Sequence, residues 1–120
     1  MGRIAKWIAR DNAIMSILFE ALDDNPEYTL KVVGHSLGAG IAALVAIYWK
    51  NHNTFHNYQK RCKYQQFLRC FAFAPPPILS KKIREKGNEF VYSIVNEDDM
   101  VPRLNVKCVY GAMDCVCECE

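Results

Sequence analysis

No stretch of this sequence approaches the roughly 20 uninterrupted apolar residues that a membrane span requires, so the chain itself is expected to be soluble or peripheral. A signal-peptide pattern is missing as well. The N-terminus is an amphipathic segment broken by polar residues, which points to the cytoplasm or to the periphery of a membrane. Charge of one sign is not in excess: 15 Lys and Arg are set among 13 Asp and Glu, for a formal net charge of +2, which excludes nucleic acid as a partner. Histidine is scarce, with only His35, His52 and His56. Met1-Gly2 opens like a myristoylation signal, but Lys6 stands where Ser or Thr is needed, so no acyl chain is expected there. The 120 residues are 51% apolar, which fits one globular domain able to bury roughly two-thirds of its unfolded surface.

The most informative stretch runs from Thr29 to Trp49, TLKVVGHSLGAGIAALVAIYW. A β-branched run, Leu30, Val32 and Val33, meets Gly34-His35-Ser36-Leu37-Gly38 and then an Ala-rich apolar helix. The pattern is strand, sharp turn and helix, with Ser36 at the apex. For a serine hydroxyl to stand clear of a sheet, side chains two residues before and after it must be removed, and Gly34 and Gly38 remove them. The first free N–H groups of the helix, Leu37 N–H foremost, then point to where a reacting carbonyl oxygen would gain charge. The competing interpretation is a tight turn whose serine merely caps the helix.

Before this stretch, Ile4, Trp7, Ile8, Met15, Leu18, Phe19 and Leu22 fall largely at three- and four-residue spacing. They predict one amphipathic helix of about five turns over residues 3–22, packed on a sheet, with a membrane-surface helix as the alternative. Asp23-Asp24-Asn25-Pro26 stops it. After Trp49, residues 50–66 are polar without periodicity and read as a solvated insertion. Lys60, Arg61 and Lys63, interleaved with Phe55, Tyr58 and Tyr64, offer it a contact with an anionic membrane surface. Residues 67–74 predict a second strand, ended by Pro75-Pro76-Pro77, which cannot donate to a ladder. Ser80 starts a short helix closed by Gly87. Residues 89–96 predict a third strand, delivering Glu97-Asp98-Asp99 to its carboxyl end. Strands alternating with helices imply a parallel α/β sheet of about three to four strands, with Ser36 and the Asp98-Asp99 pair on one edge. Such a small sheet leaves edges exposed and predicts self-association.

Six cysteines are present: Cys62, Cys70, Cys108, Cys115, Cys117 and Cys119. The terminal Cys-x-Cys-x-Cys lacks the pair spacing of a tetrahedral zinc site, so no metal is expected and the tail reads as a frayed terminus.

Three stretches together resemble the class 3 lipases, and within them the sn-1-specific diacylglycerol lipases. They are VVGHSLGAG at residues 32–40, CFAFAPP at 70–76 and VNEDDMVPRL at 95–104. The resemblance implies a partial α/β-hydrolase fold over residues 1–104 and hydrolysis of a glycerolipid acyl ester without a cofactor, whereas the Cys-rich tail at 105–120 departs from the family's pattern. Ser36 matches the nucleophile, and Asp99 the triad acid, with Asp98 or a plain turn carboxylate as alternatives. Leu37 N–H matches the oxyanion donor, and Gly34, His35 and Gly38 complete the elbow. In this family the catalytic histidine follows the acid, and no histidine follows Asp99 here. The chain is therefore expected to be the middle of a lipase domain, inactive alone; a degenerate, non-catalytic lipid- or partner-binding protein is the rival.

Overall fold

The computed structural model describes residues 1–64, 66–77 and 81–104. Helices α1 (Gly2–Ile8) and α2 (Asn12–Asp24) lead into β1 (Leu30–His35) and α3 (Leu37–Asn51). Then follow α4 (His56–Arg61), β2 (Leu68–Phe73), α5 (Lys81–Gly87), β3 (Val91–Ile94) and a 3₁₀ turn at Val101–Arg103. The three strands form one parallel sheet in the order β1-β2-β3. Gly34 lies opposite Ala72 and His35 opposite Phe73, so the carboxyl ends of β1 and β2 are level. Phe73 pairs with Ile94, which brings the exit of β3 to the same edge.

Each strand has two unlike faces because side chains alternate. Leu30, Val32, Leu68, Cys70 and Ala72 face α3, whose Ala39, Ala42, Ala43 and Ala46 are buried. Small residues let that helix lie close to the strands. The outer face carries Val33, Phe71, Phe73, Tyr92 and Ile94, with Phe71 stacked on Tyr92 at 5.4 Å between ring centroids. Val33 is 61% exposed there.

Three expectations need correction. The N-terminal helix is two helices, because Asp11 adopts an extended conformation (φ −63°, ψ 123°) and its Oδ1 accepts the Ile14 N–H at 3.0 Å, starting α2 afresh. α1 packs on α3 rather than on the sheet. Ala5 and Ala9 make that contact, the Trp49 indole donates to the Ala9 carbonyl at 3.0 Å, and Ile4 and Trp7 are left exposed. The insertion is not merely solvated. Buried Phe55 meets Trp49 edge-on at 5.3 Å, Phe19 at 5.6 Å and Phe67 at 5.9 Å, and α4 stacks Tyr58 on Phe19 at 5.7 Å. Burying a phenylalanine of this kind contributes about 2–3 kcal/mol. The third strand is shorter than expected, since only Val91–Ile94 pair. Ser80 and the tail with Cys108, Cys115, Cys117 and Cys119 lie outside the described residues. Within those residues no helix is long and apolar enough to cross a membrane.

Candidate active site

The carboxyl edge of the sheet is a rim of reversed backbone. Ser36 follows β1 with φ 53° and ψ −123°, Ala74 follows β2 with φ 49°, and Glu97 lies beyond β3 with φ 40°. A side chain at positive φ costs of order 1–3 kcal/mol and persists only where the surroundings impose it. At Ser36 the imposition is visible on both sides. Its N–H donates to Phe73 O at 2.9 Å, extending the ladder, and its carbonyl accepts Ala39 N–H at 3.0 Å as the first helical bond. The residue thus ends a strand and caps a helix at once.

Its side chain does not act as the cap. No helix N–H donates to the Ser36 hydroxyl, which is half-buried at the apex. Leu37 N–H, in the first turn of α3, finds no acceptor among the described residues. The two elbow glycines differ. A Cβ on Gly34 would collide with the Gly38 carbonyl oxygen and come within 2.7 Å of Ala39 N, so the strand and helix could not approach. A Cβ on Gly38 would meet nothing within 4 Å, which corrects the expectation that both are sterically required.

Asp99 sits in the loop leaving β3, a strand separated from the Ser36 strand by β2 and so roughly 10 Å from it at ordinary strand spacing. Its N–H donates to Asn96 O at 2.9 Å, and its Oδ1 accepts Val101 N–H at 3.0 Å. One carboxylate oxygen is therefore engaged in shaping the turn. Asp98 is fully solvent-facing and pairs with Arg103 Nη1 at 3.1 Å. Arg103 Nη2 also donates to Glu97 O at 3.0 Å, so this arginine ties residues 97–103 into one loop. Neither the role of Arg103 nor the strain at Ala74 was legible beforehand. The only signal for Arg103 was its place in the VPRL stretch.

The histidines are not brought to Ser36. His35 points from the exposed outer face of the sheet. His52 is at the opposite end of α3, roughly 20 Å from Ser36 by helical rise, with its ring stacked on Tyr48 at 3.9 Å and Nδ1 at 2.8 Å from Tyr48 O. His56 is exposed at the start of α4. A cleft of about 400 Å³ opens behind the rim between α3 and α5, lined by Gly40, Ala43, Ala72, Pro75, Val91 and Pro102 among others. Ser36 and Asp99 do not line it. Among the described residues no cluster of three or more His, Cys, Asp or Glu could hold a metal. Cys62 and Cys70 are free thiols, and burial pushes the Cys70 thiol up to about 11, leaving it protonated and inert.

Known proteins are similar to this chain in sequence along most of its length. Mouse diacylglycerol lipase-beta is 40% identical over 107 residues, covering 88% of this chain and 14% of that protein. Human diacylglycerol lipase-alpha is 39% identical over 85 residues, covering 70% and 7%. Secreted mono- and diacylglycerol lipase A of Penicillium cyclopium is 35% identical over 109 residues, covering 87% and 31%. The chain thus spans less than a third of each of these relatives. No solved structure matches it at the same significance. A family description, Lipase (class 3), matches residues 3–108 in one span that holds the elbow, the middle strand and the Asp99 loop, and the chain belongs to the class 3 lipases.

Proposed function

We propose that the chain carries the nucleophile and acid segments of a serine hydrolase acting on glycerolipid acyl esters. The observation supporting this most is Ser36: a non-glycine residue held at φ 53° on the carboxyl edge of a parallel sheet, with its hydroxyl outside the helix cap. Oγ attacks the acyl carbonyl and Leu37 N–H stabilises the oxyanion. The ester C–O bond breaks as the glycerol oxygen leaves with the proton taken from Ser36, and water hydrolyses the acyl-enzyme to a free fatty acid. Asp99 orients the histidine that takes the Ser36 proton and stabilises its charged form. That histidine is not among His35, His52 or His56 as placed here, so hydrolysis by these 120 residues alone is negligible. The names of the relatives make mono- and diacylglycerols the first substrates to try. The substrate brings the chain to a membrane periphery, and the outer edges of β1 and β3, unpaired among the described residues, favour self-association.

The test supplies the base. A fluorophosphonate probe is expected to label Ser36 in the presence of added imidazole, and to label nothing in Ser36→Ala. A second reading is motivated by the missing histidine: a non-catalytic protein whose cleft beside Gly40 and Val91 holds a lipid chain. Absence of Ser36-dependent labelling with imidazole, together with lipid co-purifying with the chain, would establish that reading instead.

A further inference from the structure

One side of α1 joins cations to an exposed indole. Arg3, Lys6, Trp7 and Arg10 fall at i, i+3, i+4 and i+7, a single stripe along the helix and the turn that follows it. Ala5 and Ala9 take the opposite side, buried against α3. Trp7 is 65% exposed and Ile4 beside it 52%, whereas the other tryptophan, Trp49, is 5% exposed. Arg3, Lys6, Trp7, Arg10, Asp11 and Asn12 outline a shallow surface notch.

Among the described residues no carboxylate forms an ion pair with this stripe. α1 contains no acidic residue, and the ion pairs among the described residues use Arg61, Lys63 and Arg103 instead. Asp11, the nearest carboxylate in sequence, gives one oxygen to the cap of α2 and is a single negative charge beside three cations. We propose that this face of α1 docks on an anionic phospholipid bilayer, with Trp7 and Ile4 entering the headgroup layer and Arg3, Lys6 and Arg10 against lipid phosphates and carboxylates. An indole prefers that layer because its ring is apolar and its N–H is polar, and basic side chains near an anionic leaflet add to the attraction. A polynucleotide would engage the cations but gives no reason for Trp7 and Ile4 to stand bare among them, and a protein partner would not make binding depend on the charge of a lipid surface, which is what the test reads. The physiological sense of the proposal rests on the glycerolipid reading, because a bilayer is where such a substrate resides; the binding itself does not involve Ser36.

The test uses the whole chain with vesicles of phosphatidylcholine containing about a quarter phosphatidylserine, and with phosphatidylcholine alone as control. Expected are co-sedimentation with the anionic vesicles, a blue shift of tryptophan emission, and weakening of both by salt. Trp7→Phe should abolish the shift, leaving the constant signal of Trp49. Neutralising Arg3→Gln with Lys6→Gln should lower partitioning roughly 25-fold, about fivefold per cation. Far-UV circular dichroism establishes that the variants keep their helices. Ser36→Ala should bind vesicles like the parent, so failure of the hydrolase reading leaves this result standing. The proposal is overturned by equal sedimentation with neutral vesicles, by no sedimentation, by unchanged partitioning of the doubly neutralised variant, or by binding without any change at Trp7.

Discussion

The two ends of α3 are built on opposite principles. At its last residues Trp49, Phe55, Phe19, Tyr58 and Phe67 form an aromatic base of tilted, edge-on and stacked rings, and the Trp49 indole is tied to Ala9. At its first residues there are almost no large side chains: Gly34, Gly38, Ala39 and Gly40 surround a serine in a reversed backbone conformation. The base supplies packing energy, and the rim holds the strain that this energy sustains. Chemistry and stability are thus separated along one helix.

The sharpest way to break the contrast is at the base. Phe55→Ala should destabilise the chain by about 3–5 kcal/mol, read as a fall in the denaturant midpoint. Gly34→Ala attacks the rim by forcing β1 from α3, at a cost of about 3 kcal/mol, and should abolish imidazole-dependent labelling of Ser36. A third effect lies between the ends. Because the folded state holds the Cys70 thiol up at about 11 against an ordinary value of 9.0, its contribution is complete below about pH 9 and is lost as pH rises through about 11. The parent should lose about 2–3 kcal/mol over that window relative to Cys70→Ala. Asp11→Ala removes the α2 cap and should cost about 1 kcal/mol without touching the rim. Smallest, and opposite in sign, Ser36→Gly should stabilise by about 0.5–1 kcal/mol by accommodating the positive φ, while eliminating labelling. A Ser36→Gly variant less stable than the parent would show that the rim is not strained.

The elbow and the parallel order were legible because they are local. A β-branched run, a Gly-x-Ser-x-Gly turn and an Ala-rich helix each constrain their own few residues. What escaped was long-range. Phe55, Tyr58 and Phe67 show no period in the sequence, and their packing depends on Phe19, far away in the chain. The break at Asp11 was hidden because an acidic residue also suits the polar side of an unbroken helix. The need for Gly34 was foreseen, but the freedom at Gly38 depends on what surrounds it, which no pentad pattern records.

The prolines after the middle strand shape the rim in another way. Once Ala74 N–H has donated to Ile94 O, residues 75–77 carry no backbone N–H, and they line the cleft beside the rim. A group seeking hydrogen bonds beside the cleft therefore finds no backbone donor in those three residues, and the donors left to it there are side chains, Arg84, Asn88 and Ser93 among the lining.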